Sequence, residues 1–211
     1  MNKKVLVGAA VAVVLVIAGV LSWQYRQTQS SEVQSQSHLL VRDSAMSLGE
    51  PSAKVVVVEF FDPECESCRR FHPLTKMLLE EFKGQIKLVL RYAPFHQNSK
   101  YAVQILEAAR KQNLYWDVLD KLYQYQPQWG DHHHPRPELI WNYLPEVAGL
   151  DVEKLKAEMN DPATDKIIEQ DLSDGQKLGV QRTPSFFVNG EPLLTFGYQE
   201  LRELVLKHTG L

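Results

Sequence analysis

The segment 55–68, VVVVEFFDPECESC, limits the possible folds more than any other stretch of this chain. Lys54 to Phe61 is a short, continuous run of β-branched and aromatic residues, the pattern of a strand buried on both faces in a parallel sheet, and Asp62 and Pro63 end it. Cys65 and Cys68 follow at once. They open a helical pattern that runs from about Cys65 to Phe82, with Pro73 inside it, where a kink is expected. Residues 85–92, QIKLVLRY, form a second strand. Strand, helix, strand is a βαβ unit, whose crossover is right-handed. Glu59 interrupts the first strand on the face shared by Val55, Val57 and Phe61, so it is expected to point into apolar surroundings.

The remaining pattern extends this α/β frame. Leu39 to Arg42 reads as a short edge strand and the following SLGEPSAK as a turn. Residues 98–178 read as an all-helical insertion, split by the stretch from Pro127 to Pro137, by Gly149 and by residues 160–162. The β pattern then returns in PSFFVNGEPLLTF, where Asn189-Gly190 between two apolar runs is a strong hairpin signal. YQELRELVLKHTG closes the chain as an amphipathic helix, and no internal repeat is visible.

The N-terminus is organised differently. Residues 1–4 carry Lys3 and Lys4, and residues 5–23 carry no charge; at ~1.5 Å per helical residue that stretch approaches the ~30 Å of bilayer hydrocarbon. It is expected to be a single-pass anchor in a bacterial inner membrane, with the lysines cytoplasmic and the folded part in the periplasm. A cleaved signal peptide is the alternative, though no small-residue cleavage site follows Ala18 and Gly19. Residues 24–50 form a polar tether and N-terminal edge segment, the tether being too rich in Gln and Ser to fold, and residues 51–211 form the main domain. The net charge of −3 argues against a nucleic-acid partner.

The chain has 2 cysteines, which excludes a disulfide framework, and a bridge across so short a loop would restrain little of the unfolded chain. Three apart at a helix start, Cys65 and Cys68 can open and close a small disulfide ring without moving the backbone. Cys65 lies where unpaired N–H groups and the helix dipole favour a thiolate, which makes it the nucleophile. Cys68, one turn deeper, would resolve a mixed disulfide. A buried Glu59 with a raised pKa suits proton exchange with Cys68. Structural zinc, needing two further ligands, and two inert thiols are the bland alternatives.

On these residues the chain resembles the thioredoxin superfamily, and within it the DsbA-like periplasmic thiol:disulfide oxidoreductases, over about residues 50–211. The shared marks are an acidic residue six before the first cysteine (Glu59), a Cys-x-x-Cys opening the first main helix, a proline eight after that cysteine (Pro73), and Pro184 in GVQRTPSFFVNG, which matches a proline facing the disulfide. The resemblance implies a thioredoxin fold with an inserted helical subdomain, a cis Pro184, and substrate docking at Thr183 and Pro184. Glu66 and Ser67 differ from the dipeptides of both thioredoxin and the strongly oxidising DsbA, so they are expected to tune the potential. Glu66 disfavours a Cys65 thiolate; Arg69, Arg70 and His72 favour one.

The expected activity is thiol:disulfide exchange on cysteine-containing exported polypeptides, with no cofactor and with a membrane or periplasmic redox partner to reset the cysteines. A reductase or isomerase for cytochrome or metalloprotein maturation, and a non-enzymatic Cu(I) carrier using the same thiols, are alternatives. Asp131 and His132 to His134 could hold a transition metal, but in a Pro-rich loop they read better as a solvated turn. The aromatics Tyr115, Trp116, Tyr123, Tyr125, Trp129, Trp141 and Tyr143 are expected to be mostly core; a minority lining a groove for unfolded polypeptide is the alternative. Direction of electron flow, substrate identity and oligomeric state are not readable from the residues.

Overall fold

A computed structural model describes residue 20 and residues 38–210. The apolar stretch expected to cross a membrane lies outside these apart from Val20, and no helix among the described residues is long and apolar enough to cross one.

The sheet has strands β1 (Met46–Gly49), β2 (Val55–Phe61), β3 (Ile86–Tyr92), β4 (Ser185–Val188) and β5 (Glu191–Pro192), in the order β1-β3-β2-β4-β5. The two continuous apolar runs became the central pair: β2 and β3 are parallel, joined through helix α1 (Glu66–Glu81), and the other neighbours are antiparallel. Between β3 and β4 lie α2 (Ser99–Arg110), α3 (Tyr115–Trp129), α4 (Ile140–Tyr143), α5 (Val152–Glu158) and α6 (Pro162–Lys177), the expected helical insertion; α7 (Tyr198–Thr209) closes the fold. Asn189 and Gly190 both take positive φ, as a two-residue hairpin turn requires. Pro192, with no N–H to donate, sits on the edge strand.

The pleat divides the interior. Val55, Val57 and Phe61 of β2 join Cys65, Cys68, α1 and most of the insertion in one apolar cluster, while Val58 and Phe60 face a smaller one with Val89, Phe187 and Leu40. Trp129 is wholly buried in the larger cluster and donates its indole N–H to the Leu122 carbonyl at 2.9 Å.

Some expectations are corrected. Residues 38–40 form a helical turn and not an edge strand; the Leu39 and Leu40 carbonyls accept from Arg91 Nη1 at 2.6 and 3.0 Å, so they are not free for a ladder. The edge strand is instead Met46–Gly49, overlapping the start of the stretch read as a turn; the sequence does not show it because its pairing with β3 is long-range and its Met-Ser-Leu-Gly composition carries no strand signal. Gly49 is required there: at φ 105° a Cβ would meet the Ile86 carbonyl at 2.7 Å. Pro127 does not end the preceding helix. It lies in the last turn of α3, where its missing N–H removes a single bond, and the break comes at Gly130.

Candidate active site

At the end of β2 the chain turns through Asp62, Pro63 and Glu64 and enters α1 with Cys65 as the residue capping its start. The Cys65 N–H donates to the Asp62 carbonyl at 3.1 Å, and the first helical bond runs from the Arg69 N–H to the Cys65 carbonyl, also at 3.1 Å. Both cysteines are free thiols. Cys68 is wholly buried and accepts from the Asp62 N–H at 3.5 Å; Cys65 keeps a small opening to solvent, with its Sγ 3.3 Å from the Thr183 carbonyl oxygen. The Thr183–Pro184 bond is cis.

The two thiols are driven apart in acidity. A hydrogen bond from Cys68, with further help from Thr183 and the main-chain N–H groups of Cys68 and Ser67, brings Cys65 down to about 5 against the opposing effect of burial. Burial pushes Cys68 well above the ordinary thiol range, and its bond to Cys65 and the nearby charges of Glu59 and Cys65 act the same way. Glu59 lies 3% exposed on the cysteine face of β2; burial, aided by the Cys65 charge, pushes it up to about 8. At neutral pH this geometry holds a thiolate at Cys65, a protonated thiol at Cys68 and a protonated carboxyl at Glu59.

The turn before the motif carries groups that sequence reasoning passed over. Asp62 and Glu64 are both buried. The Asp62 carboxylate accepts from the Glu64 N–H (2.8 Å), the Ser99 hydroxyl (2.5 Å) and the Phe95 and His96 N–H groups (2.7 and 3.1 Å), and lies 2.7 Å from His96 Nδ1. The Glu64 carboxylate accepts from the Asn98 N–H (2.6 Å) and Asn98 Nδ2 (3.0 Å) at the start of α2. Gln126 of α3 donates to the Pro63 and Cys65 carbonyls at 2.8 and 3.1 Å. The DPEC turn with two acids beside a cysteine was a visible signal; His96 and Gln126 had none, being brought in by the tertiary fold.

The motif's own dipeptide lies at the surface. Glu66 is exposed, with Arg70 Nη1 4.0 Å away, and Arg70 Nη2 donates to Ser67 Oγ at 3.0 Å. Arg69 donates instead to Gln126 at 3.0 Å, and His72 pairs with Asp120 at 2.6 Å. Beside Thr183 and Pro184 a recess of about 170 Å³ is lined by Ser67, Phe186, Leu193, Leu194 and Phe196. Leu194 is 86% exposed and Phe196 48%. The apolar rim of this recess therefore comes from the loop after β5, and none of the insertion's aromatics lines it. Of those, Tyr115, Tyr123 and Trp129 are core, and Tyr125 stacks on Tyr143 with ring centroids 3.8 Å apart.

His132 stacks on His96 at 4.7 Å, and the N–H groups of His133 and His134 donate to Asp131 in a local turn. Among the described residues no group of three or more His, Cys, Asp or Glu side chains is arranged to hold a metal ion.

A family model described as thioredoxin matches residues 42–206. Among curated relatives, the chain is 33% identical over 145 residues to the Na(+)/H(+) antiporter NhaA of Herminiimonas arsenicoxydans, covering 69% of this chain but 22% of that protein. The chain thus spans about a fifth of the length of this antiporter-named relative. It is 29% identical over 167 residues to disulfide bond formation protein D of Bacillus subtilis, covering 76% of this chain and 75% of the relative. Among solved structures, a thioredoxin-like oxidoreductase from Silicibacter pomeroyi superposes with a TM-score of 0.70 at 30% identity, over 82% of this chain and 96% of that one.

Proposed function

The chain belongs to the thioredoxin family, among relatives and structural neighbours that are DsbA-like protein disulfide oxidoreductases, and we propose that it donates disulfides to cysteine-containing exported polypeptides. The feature that supports this direction is the set of hydrogen bonds at Cys65 that lowers its pKa to about 5: a stabilised thiolate stabilises the reduced pair, and a pair stable when reduced is an oxidant. The similarity to disulfide bond formation protein D of Bacillus subtilis supports the same direction. The charge-free stretch 5–23 after Lys3 and Lys4 supports a location outside the cytosol, tethered to the membrane.

In the proposed cycle a substrate peptide lies along Thr183–Pro184, with an apolar side chain against Leu194 and Phe196. Its thiolate attacks Cys65 Sγ. The Cys65–Cys68 bond breaks, its electron pair leaves on Cys68, and Glu59 supplies the proton that the buried Cys68 sulfur requires. A second substrate thiolate then attacks the substrate sulfur and expels Cys65 as a thiolate, which its environment stabilises. Two electrons now rest on the cysteine pair, and a membrane or periplasmic redox partner removes them. Glu66 and Ser67, at the exposed rim, modulate the potential.

The test is the equilibrium reduction potential in glutathione buffers. A value near the roughly −120 mV of DsbA is expected; a value near the roughly −270 mV of thioredoxin would overturn the donor role in favour of a reductase.

A further inference from the structure

Asp62 and Glu64 put two buried carboxylates within three residues of Cys65, an arrangement that by itself works against a thiolate there. A cation held over this turn would offset them, adding to the hydrogen bonds that lower Cys65, and no side chain of the motif is held there. Glu66 is acidic, Arg70 lies over Ser67 at the exposed rim, Arg69 is turned to Gln126, and His72 is paired with Asp120.

The side chain that takes this position comes from the loop between β3 and α2. His96 Nδ1 lies 2.7 Å from the Asp62 carboxylate, and the His96 and Phe95 N–H groups converge on the same oxygen. Asp62 is itself fixed by Ser99 and the Glu64 N–H. The imidazole is thus held by main chain and side chain together, over the turn that leads into Cys65. The titratable groups facing it are Asp62, Glu64 and Cys65 from the turn after β2 and His132, stacked on it from the loop after α3; the start of α2 adds only the uncharged Asn98 and Ser99. The bond to Asp62 foremost, then the charges of Asp62, Cys65 and Glu64, raise His96 above its ordinary 6.5 against the effect of burial.

We infer that His96 is the cation that stabilises the reduced state of Cys65, and that Asp62 is the positioning residue that holds it there. The inference rests on Cys65 being the exchange nucleophile and names what tunes it. Because coupling between two sites is reciprocal, a Cys65 thiolate that holds the His96 proton is stabilised by that proton to the same extent. Both charges coexist above about pH 5, where Cys65 ionises, and up to the raised value of His96. Since the His96 value is raised, its support is present at lower pH and disappears as pH rises through that value.

Two measurements on the full-length chain test this. In the first, the His96 ring is titrated by NMR in the reduced and the disulfide forms. The reduced form, which carries the thiolate, should hold the His96 proton about threefold to tenfold more tightly. Equal titration in the two forms overturns the inference, and this measurement needs no mutant to fold. In the second, His96→Asn places an amide N–H where Nδ1 stood, keeping the bond to Asp62 while deleting the charge. The Cys65 thiolate absorbance should then titrate higher by the same factor, and the pair should become less oxidising. An unchanged Cys65 titration in a folded variant, or a shift unequal to the NMR shift, sinks the electrostatic role. Wild-type protein that does not exchange with glutathione at all would show a different failure, that of Cys65 as nucleophile.

Discussion

Glu59 and Arg91 stand on neighbouring rungs of the β2–β3 ladder, Glu59 opposite Leu90 and Arg91 opposite Phe60, yet the pleat sends them to opposite faces of the sheet. Arg91 is wholly buried and fully met. Its Nε donates to Asp171 and its Nη2 to Asp174, each at 2.8 Å; Nη1 takes the Leu39 and Leu40 carbonyls, and Arg42 adds a second cation on Asp174 at 2.8 Å. Two guanidiniums against two carboxylates leave no net charge. At Asp174 burial pushes the carboxyl up, but the bonds from Arg42 and Arg91 outweigh it and hold it below the ordinary range. At Glu59 no cation among the described residues offsets burial, and the group keeps its proton to about pH 8. In one buried cluster each carboxylate is paired with a guanidinium, although burial still raises Asp171; in the other a carboxyl has no cation beside it and titrates near neutral pH. The difference separates a structural use of buried charge from a chemical one.

That contrast can be broken by mutation. Cys65→Ser should lower thiol exchange at least about a thousandfold while leaving the unfolding free energy nearly unchanged, as followed by substrate turnover and urea denaturation. Retained exchange would remove the cysteine side of the comparison altogether. Arg91→Met should do the reverse. Stranding Asp171 and Asp174 should cost ~3–5 kcal/mol of stability in the same urea titration, with the reduction potential of the folded fraction unmoved. A shifted potential would mean that the two faces are coupled.

Glu59→Gln probes both properties at once. Exchange at neutral pH should slow about a hundredfold, since the amide cannot give up a proton to Cys68. Stability should change in pH dependence as well. With Glu59 raised from 4.5 to about 8, the folded chain holds a proton that the unfolded chain has lost. Glu59 therefore contributes a fall of about 1.4 kcal/mol per pH unit across that window, opposed in the reduced protein by the lowered Cys65, so the stability of the Gln variant should rise relative to wild type by about that amount per pH unit. The smallest effect belongs to the exposed rim. Leu194→Ser should raise KM for a peptide substrate about threefold without changing kcat or the potential, and an unchanged KM would remove Leu194 from the docking surface.

Much of the frame was legible in the chain. The βαβ unit, the helical insertion and the hairpin at Asn189-Gly190 all have local signals, because apolar periodicity and turn chemistry act over a few residues. The spacing of Glu59, Cys65 and Cys68 could be read in the same way, since a strand followed by a helix start fixes their relative placement. The strand Met46–Gly49 could not, because only its pairing with β3 makes it a strand. Nor could the rim at Leu194 and Phe196, which looks like an ordinary hairpin arm until the fold sets it beside Pro184.

By itself, then, the sequence determined which residues can do chemistry: a dithiol at a helix start with a carboxylate six residues upstream is a local pattern. The tertiary structure decided how they are charged. The acidity of Cys65 depends on its hydrogen-bond partners and the low acidity of Glu59 on its burial. The engagement of His96 by Asp62 and of Gln126 by Pro63 and Cys65 joins segments more than thirty residues apart. Electrostatic energies depend on distance through space and on exclusion of water, and both are set only when the helical insertion closes over the sheet.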